Sequence, residues 1–319
     1  MRLQEFYDFL VKAGVKQDPR GQKAVEAILE KTRQKYQKME AKAKDGFDRD
    51  KLANPYADTR ILHGDPQAEI KNIMLGVDID VAELLLADRL RTKGEKIDLV
   101  MSHHPAGKAY ANFYEVMGMQ ADILQQFGVP INIAEQMLDK RIKEVEKRVM
   151  PANHMRASDA AKLLDIPFMC AHTVADNHVA TYLQKKLDQA KVQTVEDVMN
   201  VINGIPEYKI SAGNNNPPRI LIGKGSNRTG RVFVDMTGGT EGSVDIFEKM
   251  AQAGIGTLVC MHLSEKHAEN AEKAHLNAVI AGHISSDNLG LNLLLDSVIK
   301  NFGALRIIPC SGFVRVKHN

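Results

Sequence analysis

Ile97-Asp98-Leu99-Val100-Met101-Ser102-His103-His104-Pro105 is the stretch on which the reading of this chain turns. Its apolar run, 97–101, has the length and continuity of a buried strand. Pro105 stops that strand, because proline has no N–H to give to a ladder. Neighbouring side chains in extended chain point to opposite sides. His103 and His104 can therefore face two different things, such as two metal ions in one cleft. Taken alone, the pair reads better as a strand end, with His104 shaping a turn and His103 merely polar. The positions of the other histidines and carboxylates tip the balance.

Outward from this stretch, strands and helices alternate. Residues 73–77 are a candidate strand, 81–90 an amphipathic helix and 98–101 the next strand. Helical period runs over about 109–127, a short strand is expected at 131–133, and 135–164 is helical with a break near Pro151. Residues 167–171 are strand-like and lead into a helix ending near 190. Gly213-Asn214-Asn215-Asn216-Pro217-Pro218 stacks turn formers with two prolines and is the best linker in the chain. Strands at 219–222, 232–234, 257–261 and 278–280 follow, with helices between them. Alternating βα units predict an α/β fold with mostly parallel sheets covered on both faces. The expected organisation is two linked α/β lobes, 55–212 and 219–319, joined by 213–218. Residues 1–54 read as a helical N-terminal extension, with Leu3, Phe6, Tyr7, Phe9 and Leu10 on one apolar face. Its Lys31, Arg33, Lys35 and Lys38 interleave with Glu26, Glu30 and Glu40, the pattern of a solvated face rather than an anion site.

Composition sets the outer limits. A chain of 319 residues is long enough for two domains and can bury on the order of 75% of its unfolded surface. Hydrophobic content of 44% and charged content of 26% are ordinary for a soluble globular protein. A net charge of +2 gives no argument for nucleic acid or an anionic membrane as partner. Without tryptophan, and with only 5% aromatics, the chain is poorly equipped to stack single-stranded bases. Cys170, Cys260 and Cys310 are widely spaced in apolar runs, as buried thiols of a reducing compartment would be. The first residues lack the apolar core of a signal peptide, and no window approaches the roughly 20 apolar residues of a membrane span. A cytoplasmic location is the expectation.

In such folds ligands collect beyond the carboxyl ends of the strands. His103-His104 follows one strand, His172 another, and His283 a third. Asp176 and Asp287 lie four residues after His172 and His283, a spacing that puts both members of a pair on one helix face. Either pair alone is better read as a helix-terminus carboxylate. Their joint occurrence at three strand ends supplies enough imidazole and carboxylate for two divalent metals. His63 reads as part of a turn, His178 as a neighbour of Asp176, and His262 and His267 as possible pocket residues. His154, His275 and His318 read as surface. The loop 237–243, Thr-Gly-Gly-Thr-Glu-Gly-Ser, leads from a strand to a helix and reads equally well as a tight turn or as an anion cradle at a helix N-terminus. The loop 223–230 reads as a hairpin connection.

The segments Ser102-His103-His104-Pro105, Ala171-His172-Thr173-Val174-Ala175-Asp176 and Gly282-His283-Ile284-Ser285-Ser286-Asp287 together resemble the three signatures of the Nif-three-like family. Its members are often labelled GTP cyclohydrolase I type 2 homologues. Asn72 to Asp78 resembles that family's first strand, and 235–243 its glycine-rich turn. The resemblance implies two linked α/β lobes, a dinuclear centre between them and a ring-shaped homohexamer. It implies His103, His104, Asp176, His283 and Asp287 as metal ligands, with His172 in or beside the coordination sphere. The family's last ligand is usually Glu, so the shorter Asp287 puts bridging of two metals in question. The function expected is a metal-dependent hydrolase with an activated water. His172 or His178 would move the proton, and the substrate would be a purine nucleotide. The metals would be two divalent ions among Zn, Fe, Mn, Co and Ni. A metal-binding or assembly-platform protein without turnover is the alternative.

Overall fold

The computed structural model describes residues 1–318. The N-terminal segment forms helices α1 (Leu3–Lys16), α2 (Gln22–Gln37) and α3 (Ala41–Asp45), then a single 3-10 turn at Arg49–Leu52. Only α1 is deeply embedded. Leu3, Phe6, Tyr7, Leu10 and Val11 recur at helical spacing and are all buried. By contrast α2 buries only Val25 and Leu29, consistent with its interleaved charges.

The first βα region runs through β1 (Arg60–His63), β2 (Asn72–Gly76), α4 (Val81–Thr92) and β3 (Leu99–Ser102). It continues through α5 (Gly107–Ala111), a 3-10 segment Phe113–Gly118, α6 (Met119–Gln126), α7 (Ile131–Val149) and α8 (Arg156–Leu163). β4 (Phe168–Cys170), α9 (Thr173–Ala190), α10 (Val195–Asn203) and α11 (Pro206–Gly213) complete it. The second region comprises β5 (Arg219–Ile222), β6 (Arg231–Asp235), α12 (Phe247–Gln252), β7 (Ile255–Cys260) and α13 (Glu265–Lys273). It ends with β8 (Asn277–Ile280), α14 (His283–Phe302) and β9 (Arg306–Cys310).

Two sheets result, in orders β1-β4-β3-β2-β9 and β5-β8-β7-β6. All pairings are parallel except the edge pairs β1–β4 and β5–β8. The inner strands are near-continuous apolar runs because both faces are covered. Helices α9 and α14 lie between the sheets. Val174, Ala175, Leu291 and Leu294 join the core of the first sheet, whereas Val179, Leu183, Leu187 and Leu289 join that of the second. Gly290 makes this crossing tight: a Cβ there would meet the Ala175 carbonyl oxygen at 2.4 Å.

Several expectations are corrected. Residues 131–133 open α7 instead of forming a strand. The buried positions Ala134, Leu138, Val145 and Val149 keep helical spacing, so packing overrides the β preference of isoleucine. The stretch 109–127 is not one helix but α5, a 3-10 segment and α6. Residues 223–230 do not close a hairpin, because β5 pairs with β8 and β6 with β7. The strand β9 was not anticipated. It returns the chain to the first sheet, beside β2, so 219–319 does not supply one sheet alone. Pro309 is tolerated there because β9 is an edge strand. Nor is the start of the chain a mere appendage, since α1 belongs to the first sheet's core. Among the described residues, no helix is long and apolar enough to cross a membrane.

Candidate metal centre

The site is assembled where β3, α9 and α14 meet. The backbone N–H groups of His103 and His104 donate to the carbonyls of Gly76 (3.0 Å) and Val77 (2.9 Å), extending the β2–β3 ladder past the strand end. The Ser102 hydroxyl donates to the His104 carbonyl at 2.7 Å and fixes the turn. His172 immediately precedes α9 and His283 is the first residue of α14. Asp176 and Asp287 therefore sit one turn further on, each on the same helix face as its histidine.

Each of three imidazoles has one nitrogen occupied by an oxygen outside the cluster. His103 Nδ1 donates to the Ala171 carbonyl at 3.1 Å. His104 Nδ1 lies 2.7 Å from Asp78 Oδ1, and His172 Nδ1 lies 2.8 Å from Asp58 Oδ2. Asp58 is itself held by the Thr173 hydroxyl at 2.6 Å. Such partners fix the tautomer and leave the Nε2 lone pair free to bind a metal. Those Nε2 atoms converge on the carboxylates. His103 Nε2 is 3.4 Å from both Asp176 Oδ1 and Asp287 Oδ1. His104 Nε2 is 3.5 Å, and His283 Nε2 3.7 Å, from Asp287 Oδ2. His172 Nε2 is 3.7 Å from Asp176 Oδ2.

Two overlapping ligand groups emerge: His103, Asp176 and Asp287, and His104, His283 and Asp287, each with donor atoms within 4.8 Å of one another. A third grouping joins His172 to His103 and His104. Asp287 presents one oxygen to each of the first two. The two oxygens of the shorter carboxylate thus face imidazoles on both sides, His103 through Oδ1 and His104 and His283 through Oδ2. Burial disfavours charge here, yet the surrounding imidazoles hold Asp287 well below the usual carboxylate range. Burial likewise works against a charged His103, but Asp287 and Asp176 outweigh it and raise its pKa well above the ordinary value. His103 Nε2, Asp176 Oδ1 and both Asp287 carboxylate oxygens are buried without a hydrogen-bond partner. Buried polar atoms are rarely left so. Mixed nitrogen and oxygen donors with their outer atoms already fixed fit divalent metal ions well.

A cavity of about 460 Å³ opens from this cluster, lined by His104, His172, Asp176, His283 and Asp287 at one end. His262 and His267 also line it. Glu241 stands between them, 3.3 Å from His262 Nδ1 and 3.5 Å from His267 Nδ1. The His262 ring centroid is 5.0 Å from that of His283. Its hydrogen bond to Glu241 raises the His262 pKa, while burial pushes the nearby Asp235 carboxyl up to about 6.

His178 is placed elsewhere. It is buried, its Nδ1 donates to the Val174 carbonyl at 2.7 Å, and burial pushes its pKa down to about 4. It is not among the residues lining the cavity, because two residues along a helix turn a side chain well away from Asp176. It is therefore not placed to transfer a proton in this cavity. His63 ends β1 and faces Asp165 at 3.6 Å. The 237–243 loop lines the cavity but is not an anion cradle at a helix N-terminus, since α12 begins only at Phe247. Two of its carbonyls, Gly238 and Thr240, accept from the Gln120 amide at 2.9 and 2.7 Å.

Sequence reasoning missed Asp58, Asp78 and Glu241 as partners of site histidines. Asp78 closes the segment Asn72–Asp78 already singled out. Asp58 carries no local signal, being 114 residues from its partner His172.

No protein-family model matches the chain, and no curated protein matches it significantly. Among solved structures, a NIF3 superfamily protein from Sphaerobacter thermophilus is 26% identical, with TM-score 0.67, covering 80% of this chain and 91% of that one. HcgD from Methanocaldococcus jannaschii is 16% identical, with TM-score 0.47 and coverage of 78% and 87%. A Thermus thermophilus protein, TTHA1606, is 14% identical, with TM-score 0.44 and coverage of 79% and 86%.

Proposed function

The chain has the NIF3-superfamily fold, and on that premise we propose that it is a dinuclear, divalent-metal-dependent hydrolase. The observation that carries this reading is Asp287. Its two buried, unpartnered oxygens face different histidines, and a cavity opens directly beyond them. His103 and Asp176, with His172 beside them, would hold one ion. His104 and His283 would hold the other, with Asp287 shared. Bound there, such a pair supplies Lewis acidity and lowers the pKa of water into the neutral range.

The chain's own residues do the rest. Asp58 and Asp78 orient His172 and His104 from outside. His262, polarised by Glu241 and lying beside His283 at the cavity wall, is the group best placed to carry a proton. His172 remains an imidazole of the ligand cluster. The ring-shaped homohexamer belongs to the same proposal, and light scattering that gives the mass of one chain would remove it.

The test has two stages. Elemental analysis should find divalent metal in the protein as isolated and a marked loss in His104→Ala and Asp287→Ala; equal contents would remove the premise. Metal-replete protein should then turn over a member of a panel of neutral esters, amides, nucleotides and phosphoesters. No turnover of any member would leave metal binding, or an assembly platform, in place of catalysis.

A further inference from the structure

The end of the cavity away from the metal cluster is built from different material. Its lining there includes Tyr110, Phe113, Leu138, Phe233, Phe247 and Met250. They belong to one apolar cluster that joins the second sheet to α6, α7 and α12. The charged residues in the lining are Asp78, Asp176, Asp235, Glu241 and Asp287, besides histidines; it includes no lysine or arginine. The basic residue that braces the 238–243 loop, Arg141, is spent on the Glu241 carbonyl (3.1 Å) and the Glu144 carboxylate (3.4 Å). Two of the loop's carbonyls, Gly238 and Thr240, are taken up by the Gln120 amide.

Phosphate recognition depends on cations or on convergent backbone N–H groups. Among the described residues, no lysine or arginine lines this cavity, and its histidines outside the ligand groups, His262 and His267, are held by the Glu241 carboxylate. Its volume of about 460 Å³ is that of a small-molecule site, and mostly apolar walls with a few polar groups at one end are the usual construction of such sites.

We propose that the substrate is a small molecule with an apolar, aromatic-sized body, uncharged away from its reacting group. That body occupies the chamber between Phe113, Leu138, Phe233 and Phe247, and the hydrolysable polar group meets the metal cluster. A nucleotide polyphosphate is the wrong shape of charge for this wall. The inference rests on the metal-dependent reading for the placement of the polar group, but not for the chamber itself.

Hydroxamic acids test both parts, because they chelate divalent metals whatever their side group. Calorimetry with zinc-loaded protein should find 2-naphthohydroxamic acid binding about 100-fold more tightly than acetohydroxamic acid, the gain expected for burying the ring. GTP should bind no more tightly than acetohydroxamic acid. Ala134→Phe, which fills the chamber wall, should abolish the gap and leave acetohydroxamic acid unaffected. 2-Naphthol, which lacks the chelating group, should bind metal-free wild-type protein. Equal affinities for the two hydroxamates, or preference for GTP, would overturn the proposal. Loss of chelator binding with retained 2-naphthol binding would instead sink the metal reading and keep the chamber. The wild-type comparisons stand even if Ala134→Phe does not fold.

Discussion

At the scale of single residues, the centre depends on carboxylates that hold its imidazoles from outside the ligand groups. Asp58 is fully buried, accepts from Thr173 and orients His172 through Nδ1. Asp58→Asn preserves the volume but not the charge-assisted contact. It is expected to weaken metal affinity about 10- to 100-fold, read by competition with a chromogenic chelator. His262 makes a different kind of contribution, since it lines the cavity without joining any of the three ligand groups. His262→Gln should therefore retain metal content while lowering kcat by a factor on the order of 10² to 10⁴. A kcat that is unchanged would move the proton-carrying role elsewhere.

At the scale of elements, the critical contact is the crossing of α9 and α14, which brings Asp176 and Asp287 onto the same imidazole. Gly290 allows it by letting the α14 backbone approach Ala175. Gly290→Ala places a methyl where a carbonyl oxygen lies and should cost about 1–3 kcal/mol. The helices would also separate, so metal stoichiometry should fall along with the melting temperature. The helix α1 contributes through burial instead. Phe6, fully buried in the first core, should cost about 3–5 kcal/mol as Phe6→Ala, measured by denaturant unfolding. A cost under about 1 kcal/mol would show that α1 adds little to the first core.

At the scale of the molecule, the two sheets share one pair of helices, and the chain returns from the second sheet to the first through β9, so they are expected to unfold together. β9 closes the edge of the first sheet, Phe313 enters its core, and Asn288 and Asn292 on α14 donate to the carbonyls of Gly312 and Val314, both at 3.0 Å. A chain ending at residue 304 should lose the cooperative transition of both sheets, not of one. Circular dichroism that still shows a native-like, cooperative melt would contradict this.

Much of this was legible in the sequence because it is local. Strand-then-histidine, and histidine four residues before aspartate, are short patterns fixed by strand alternation and helical period. They mark His103, His104, His172, Asp176, His283 and Asp287 as one candidate set, and the fold brings these residues together. Alternating apolar runs similarly gave the α/β class. Whatever depends on partners distant in the chain was not legible. Asp58 gains its meaning from His172, β9 from β2, and the short Asp287 from His103 and His104, which lie far from it in the chain. The apolar chamber is likewise built from segments 110–138 and 233–250, each of which alone reads as ordinary core. Periodicity sets which face of an element is buried or polar, but only packing sets what that face meets.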